Sequence, residues 1–260
     1  MNTTLITGAS TGIGAAFARK LAARGRNVLL VARSEDKLVS LCNELGRLTS
    51  IRAQYLALDL QQPDAGVQLF EETKKRELEI EMLINNAGFG SMGDFNKLDL
   101  DRELEIIQLN VRTLVDLTHR FLGPMRERKR GTIINVASTA AFQAVPYMAT
   151  YAATKAFVLS FSEAIAEENR AHGIHVMALC PGVTETNFFE ASKMERPPMR
   201  TIQTPEQVVD AALRGLDRQK TTVVSGWTNW FMVEAERFVP RSTVTKIAGK
   251  ALRRDLRSKE

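Results

Sequence analysis

Tyr151 and Lys155 stand four residues apart, about one helical turn, so in a helix the phenol and the ammonium emerge on the same face. A cation beside a phenol favours the phenolate, and a Tyr-Lys pair so placed can move a proton near neutral pH. Taken alone the pair has an ordinary alternative, a surface contact worth roughly a few tenths of a kcal/mol. Its company sets it apart: Ser138 follows an apolar run upstream, Asn110 lies further back, and a glycine-rich turn opens the chain.

That turn is Thr7-Gly8-Ala9-Ser10-Thr11-Gly12-Ile13-Gly14. Apolar Leu5-Ile6 precede it and a helix-forming run from Ala15 to Leu21 follows, which reads as strand, tight turn and helix. Glycines permit a sharp turn and close approach to a pyrophosphate, while the N–H groups and dipole of the helix start favour its charge. Glycines also end helices and fill loops, so the flanking strand and helix are what make the pattern informative.

Elements able to hold these residues recur along the chain. Strands are predicted over 27–32, 54–58, 82–84, 132–136, 175–179 and 221–224, and helices over 34–45, 65–77, 102–126, 152–171 and 205–217. The alternation predicts an α/β fold of Rossmann type, a doubly wound parallel sheet in a three-layer α/β/α arrangement, as a single domain over 1–260. Ligands of such sheets lie at the carboxyl ends of the strands, where Gly8, Arg33, Asp59, Asn86, Ser138 and Pro181 fall.

In order along the chain stand Thr-Gly-x-x-x-Gly-x-Gly from Thr7 to Gly14, Asn85-Asn86-Ala87-Gly88, Asn110, Ser138, Tyr151-x-x-x-Lys155, and Pro181-Gly182 followed by Thr186. With these motifs the chain resembles the short-chain dehydrogenase/reductase family in its compact single-domain branch, over residues 5–186, and within it the bacterial reductases of ketoacyl or hydroxysteroid type. The resemblance implies an oxidoreductase acting on CH–OH groups with NAD(P). Tyr151 would exchange a proton with the substrate oxygen while the nicotinamide transfers hydride. Lys155 would lower the phenol pKa and bond the nicotinamide ribose, Ser138 hold the substrate carbonyl, and Asn110 help position a relay water. Cofactor contacts are implied for Gly8, Ser10, Thr11, Gly12, Ile13, Gly14, Arg33, Asp59, Leu60, Asn86, Ala87, Gly88, Tyr151, Lys155, Pro181, Gly182, Val183, Thr184 and Thr186. Tyr147 has Tyr151 as its fourth neighbour and gains no cation from it, so no catalytic part is expected of it.

Relatives associate through the helices corresponding to 102–126 and 152–171, so a homodimer or homotetramer is expected by resemblance. Two other function classes share the fold. A cofactor-binding regulator or scaffold would usually have lost the Tyr or the Lys, and both are present; an epimerase or dehydratase typically has another glycine spacing and a longer substrate domain. Carbonyl reduction is therefore the expectation, since fold alone does not choose.

Cofactor choice rests on the end of the second predicted strand. NAD-selective enzymes place Asp or Glu there, whereas this chain has Ala32-Arg33. A guanidinium matches a 2′-phosphate by charge and by its forked donors, so NADP(H) is expected over NAD(H); the alternative is a solvated Arg33 capping the strand. Thr11 stands where NADP-specific relatives often carry a second basic residue. Asp59-Leu60 resembles the family's adenine contact, with helix capping as a compatible second role for Asp59.

After Pro181-Gly182, the segment 187–204 corresponds to the family's mobile substrate lid. Its Phe188, Phe189, Met194 and Met199, with Phe89, Met92, Phe95, Phe142 and Met148 across the site, predict an apolar wall for a fatty-acyl, steroid-like or aromatic ketone; the alternative is that several of them face the core.

A chain of 260 residues with 44% hydrophobic content can bury one large core. No apolar stretch is long enough to span a bilayer and no signal peptide precedes the first strand, so a cytoplasmic protein is expected. Cys42 and Cys180 cannot form a disulfide framework, Cys180 reads as a buried inert thiol, and His119, His172 and His175 lack companions at ligand spacing, so no metal is expected. Residues 241–260 hold seven basic and two acidic side chains and so carry the entire net charge of +5. A pI near 9.3 thus reflects one tail and gives no reason to expect nucleic-acid binding. In that tail Val244, Ile247, Ala248, Ala251, Leu252 and Leu256 follow helical spacing, with Trp227, Trp230, Phe231 and Phe238 just upstream. An amphipathic helix is predicted, which either packs on the body or another subunit or makes a peripheral membrane contact.

Overall fold

A computed structural model describes residues 2–186, 188, 192 and 202–257, with side chains through 253 at the C-terminal end. The strands are β1 (Asn2–Thr7), β2 (Asn27–Ala32), β3 (Ala53–Ala57), β4 (Glu79–Asn85), β5 (Gly131–Val136), β6 (Ile174–Cys180) and β7 (Thr222–Val224). They form one parallel sheet in the order β3-β2-β1-β4-β5-β6-β7. Around them run α1 (Gly12–Ala23), α2 (Glu35–Leu48), α3 (Ala65–Lys75), α4 (Leu100–Ile107), α5 (Leu114–Glu127), α6 (Ala149–Arg170), α7 (Pro205–Asp217), α8 (Trp227–Glu236) and α9 (Arg241–Arg257).

Side chains of a strand alternate between faces, and here both faces are apolar. Ile6, Leu30, Ile84, Ile134 and Leu179 face one layer with Phe17 of α1, Leu38 of α2 and Val208 of α7. Their neighbours Leu5, Leu29, Leu83 and Ile133 face the other layer with Leu69 of α3, Phe121 of α5 and Ile165 of α6. The sheet is therefore buried on both sides, as parallel sheets require. The chain reverses its winding between β1 and β4, and a crevice opens beyond their carboxyl ends, where such sheets bind ligands.

The predicted bounds of β2 and α7 hold as stated, and most other elements shift by a few residues. His175 lies within β6 itself. The long helix expected over 102–126 is instead divided: α4 ends at Ile107, a π turn occupies Gln108–Thr113, and α5 begins at Leu114. Asn110 sits in that turn, and a π bulge is one of the ways a helix widens to redirect a side chain. The lid expected over 187–204 lies mostly outside the described residues. No described helix is long and apolar enough to cross a membrane.

A buried polar chain joins the sheet to α6. Asn85 and Asn135 are register partners on β4 and β5. Asn85 Nδ2 donates to Asn135 Oδ1 at 2.9 Å and to Thr118 Oγ1 at 3.1 Å, and Asn135 Nδ2 donates to Ser162 Oγ at 2.9 Å. Buried amides without partners are costly, so this network fixes where α6 lies over β5.

Candidate active site

Placed in this way, the first turns of α6 present Tyr151 and Lys155 to the end of β5, both buried. Lys155 Nζ donates to the Val136 carbonyl, the last residue of β5, at 2.8 Å. Ser138 follows two residues later; its Oγ accepts the Ala140 N–H at 3.1 Å, and its hydroxyl lies near enough to the Tyr151 phenol to favour the ionised form. Gly90 passes close over the tyrosine ring, where a Cβ would stand 2.9 Å from Tyr151 Cδ2. Phe188 packs on the same ring with centroids 5.3 Å apart.

Asn110 is 1% exposed and fully engaged. Its Oδ1 accepts the Phe89 N–H at 3.2 Å, and its Nδ2 donates to the Phe89 carbonyl at 2.9 Å and to Thr154 Oγ1 at 3.1 Å. A Cβ on Gly88 would approach Asn110 Oδ1 to 2.8 Å and Lys155 Nζ to 3.5 Å. A side chain at position 88 would therefore require Asn110 to shift, whereas Lys155 would be met at ordinary contact distance.

At the other end of the crevice, Gly8 and Gly12 adopt φ of +63° and +56°, the left-handed region that glycine enters without strain. A Cβ on Gly14 would lie 2.4 Å from the Gly8 carbonyl oxygen. Thr11 precedes α1 without a side-chain cap, which leaves N–H groups of the first helical turn able to face an anion. The turn is braced from β4: Asn86 Nδ2 donates to the Thr7 and Gly8 carbonyls, and Thr7 Oγ1 accepts from Asn86 N and Ala87 N, at 2.9–3.1 Å. An anion-accepting backbone with no side chain in the way fits a dinucleotide pyrophosphate.

One cavity of about 850 Å³ runs from Arg33 and Asp59, past the glycine turn, to Ser138, Tyr151 and Lys155. Its far wall is Val145, Met148, Phe188, Met232, Ala248, Ala251 and Leu252. The short chain dehydrogenase family model matches residues 2–197. The chain belongs to this family.

This short-chain dehydrogenase is an oxidoreductase acting on CH–OH groups with NAD(P). It is 30% identical over 247 residues to the 7beta-hydroxysteroid dehydrogenase of Clostridium sardiniense, covering 95% of this chain and 94% of the relative. A ketoacyl reductase of Nostoc is 30% identical over 223 residues, covering 85% of this chain and 77% of that one. Among solved structures, a short-chain dehydrogenase from Sphingobium yanoikuyae in complex with NADPH superposes with a TM-score of 0.83 at 30% identity, covering 91% and 94% of the two chains.

Of the residues expected to bind cofactor, Gly8, Ser10, Thr11, Gly12, Ile13, Arg33, Asp59, Leu60, Asn86, Ala87, Gly88, Pro181, Gly182, Val183, Thr184 and Thr186 line the dehydrogenase's cavity, with Tyr151, Lys155 and Ser138. Gly14 lies behind the lining and serves the packing of α1 against Gly8. Asn110 is likewise outside it, since its amide is committed to Phe89 and Thr154. Asp59 caps a turn through Gln61 N at 3.1 Å and not the start of α3. Arg33 Nη1 donates to Gln61 Oε1 at 3.2 Å, so the guanidinium is oriented at the crevice mouth.

The expected effect of Lys155 on the phenol is not what this arrangement gives. Burial pushes Tyr151 up to about 12, with the Ser138 hydroxyl acting the other way. Burial also brings Lys155 down to about 8. Its Nζ lies 5.8 Å from the Tyr151 ring centroid and is held on Val136, so desolvation outweighs the attraction between them. Cys180, fully buried beside them, is pushed up to about 12 by burial and remains a thiol.

The apolar wall is only partly the expected one. Phe89, Met148 and Phe188 line the cavity. Phe95 is 61% exposed in a single helical turn, Phe142 packs in a core cluster with Val158 and Cys180, and Met92 stands outside the lining. Phe189, Met194 and Met199 lie outside the described residues. In their place come Met232 from α8 and Ala248, Ala251 and Leu252 from α9. The helical spacing of Ala248, Ala251 and Leu252 was the available signal, but spacing does not say which neighbour a stripe covers. Thr154, whose hydroxyl donates to the Tyr151 carbonyl at 2.7 Å, carried no signal.

Proposed function

We propose that this dehydrogenase reduces an apolar ketone to the alcohol with NADPH, with Tyr151 as the proton donor. The observation that carries the reading is the single cavity joining Arg33 and the glycine turn to the Ser138, Tyr151 and Lys155 cluster. NADPH, when bound along that crevice, supplies the hydride. Gly8, Gly12 and the start of α1 receive the pyrophosphate through backbone N–H groups, and Arg33 takes the 2′-phosphate. NADPH appears in the Sphingobium yanoikuyae relative, which supports this choice.

A phenol kept protonated to about pH 12 is in the form that a reduction requires, because the developing alkoxide needs a proton donor. Ser138 provides the second donor to the carbonyl oxygen and stabilises the charge that builds there. Lys155, with hydrogen-bonding capacity beyond its one bond to Val136, holds the ribose and brings a positive charge to the site. Asn110 is a positioning residue, holding Phe89 and Thr154 around the reacting groups.

The substrate is a bulky apolar carbonyl compound. Phe188, Met148, Met232 and Leu252 offer contact area with few polar groups, and relatives named as hydroxysteroid and ketoacyl enzymes are consistent with it. A homo-oligomer forms through α4 and α6, where Leu100, Leu104, Ile107 and Phe157 are exposed and Phe157 stacks on the half-buried Phe161. The reading is tested by NADPH and NADH oxidation across medium- and long-chain ketones, 3-oxoacyl thioesters and steroid ketones, with Tyr151→Phe alongside. NADPH turnover that vanishes in the variant supports it; tight NADPH binding without turnover of any ketone overturns it.

A further inference from the structure

Helix α8 is inverted relative to an ordinary surface helix. Its inward face carries Asn229, buried and donating to the Ser225 carbonyl at 2.7 Å and to Gln203 Oε1 at 3.3 Å, beside Val233. Its outward face carries Trp227, Trp230 and Phe231, at the i, i+3 and i+4 spacing that shares one side of a helix. Trp227 is 81% exposed and Phe231 65%. The stripe continues past the helix end in Phe238, 88% exposed, and Val239. Contiguous exposed aromatic groups on a water-facing surface mark a site of association.

The adjoining helix supplies the charge. Along α9, Arg241, Lys246, Lys250 and Arg253 are exposed, no acidic residue stands between 241 and 253, and Ile247 is exposed among them. The two helices are neighbours, since Met232 of one and Ala248, Ala251 and Leu252 of the other line the same cavity wall. The pair is anchored to the body: Arg253 Nε donates to Tyr147 Oη at 2.9 Å, and Gly249 packs on Pro146, which a Cβ would approach to 3.1 Å.

We propose that α8 and α9 form a docking surface for an anionic lipid bilayer. Tryptophan and phenylalanine suit the boundary between headgroups and acyl chains, and lysine and arginine beside them meet anionic headgroups. Charge decides against a second copy of the chain as the occupant. A two-fold contact sets the same patch against itself, which would bring the basic side chains of α9 together, while of the two carboxylates on α8 Glu234 is already paired with Arg237 at 2.9 Å and Glu236 is half-buried with its pKa raised by burial. The apolar face of α4 and α6 remains for self-association. Docked by this surface, the protein holds the wall of its cavity against the bilayer, so that an apolar ketone reaches the site from the lipid; that last consequence rests on the proposed reductase activity, whereas docking does not.

The chain has only two tryptophans, Trp227 and Trp230, so intrinsic fluorescence reports on the patch directly. Full-length protein is mixed with vesicles of phosphatidylcholine and phosphatidylserine, or of phosphatidylcholine alone, and followed by flotation and tryptophan emission. The expected result is co-flotation and a blue shift with anionic vesicles, both weakened by salt. Lys246→Glu with Lys250→Glu should reduce binding about tenfold or more. Phe231→Ser with Phe238→Ser should abolish it while leaving the melting temperature and NADPH affinity unchanged. Tyr151→Phe protein should bind as the parent does, which separates docking from turnover. Absence of flotation and blue shift with anionic vesicles at low salt overturns the proposal. A blue shift that instead follows protein concentration without lipid, and is lost in the phenylalanine variant, also overturns it and assigns the face to contact between copies.

Discussion

Asn110 in the π turn and Thr154 on α6 are joined by a 3.1 Å hydrogen bond from Nδ2 to Oγ1, and Thr154 in turn donates to the Tyr151 carbonyl at 2.7 Å. Two helices are thereby locked together one turn below the reacting phenol. With the two bonds between Asn110 and the Phe89 backbone, this amide holds three segments of the site. Asn110→Ala leaves buried backbone groups of Phe89 unpaired and should lower stability by about 3 kcal/mol, read from urea unfolding. Activity should fall while NADPH binding, made elsewhere, changes little.

Tyr151→Phe keeps the buried ring against Phe188 and Gly90 and removes only the hydroxyl. The reduction rate should drop about 10²- to 10⁴-fold, the usual span for a lost general acid, with NADPH affinity and melting temperature close to the parent's. Ser138→Ala should cost about 10²- to 10³-fold in kcat. A loss confined to KM would point instead to ground-state binding alone.

Lys155 gives a dependence on pH whose sign is fixed. Its folded pKa, about 8, lies below its unfolded value near 10.4. Between these values the unfolded chain binds more protons, so the group's contribution to stability rises with pH from about 8 to about 10.4 and is flat outside that window. Cofactor-free parent protein should therefore gain on Lys155→Met by up to about 3 kcal/mol across this range. Tyr151, raised to about 12, acts oppositely: its contribution is full below pH 10 and is lost between about 10 and 12. Unfolding of parent, Lys155→Met and Tyr151→Phe proteins at stepped pH separates the two.

Arg33→Glu reverses the charge at the crevice mouth and removes the donor that now meets Gln61. NADPH affinity should fall about 10- to 100-fold, as expected for a lost charge-assisted contact, while NADH affinity is retained or improved. Equal losses for both cofactors in a fluorescence titration would show that Arg33 is only a structural residue.

Gly14→Ala places a methyl group 2.4 Å from the Gly8 carbonyl oxygen, a distance at which backbone must move. The glycine turn should open and NADPH binding weaken by an order of magnitude or more, with a lower melting temperature. Calorimetry of cofactor binding checks it. Gly25→Ala, at a glycine whose added Cβ meets nothing within 4 Å but whose φ is +76°, should lower stability by about 1 kcal/mol and leave cofactor affinity intact.

Local chemistry wrote much of this protein into its sequence. The period of apolar residues and the glycine positions specify strands, helices and the first turn, because each depends on neighbours within a few residues; β2 and α7 show it, with bounds as read. The spacing of Tyr151 and Lys155 likewise fixes their common helix face. The division of the helix at Asn110 was not readable, since it depends on bonds to Phe89 and Thr154 from distant parts of the chain. Nor was the direction in which the site titrates: the sequence shows a cation beside a phenol, and only burial of both makes desolvation the larger effect. The outward turn of Trp227 and Phe231, and the place of Ala248 and Leu252 over the cavity, were also decided by packing. A helical stripe records that one face differs from the other, and the tertiary structure alone determines what each face meets.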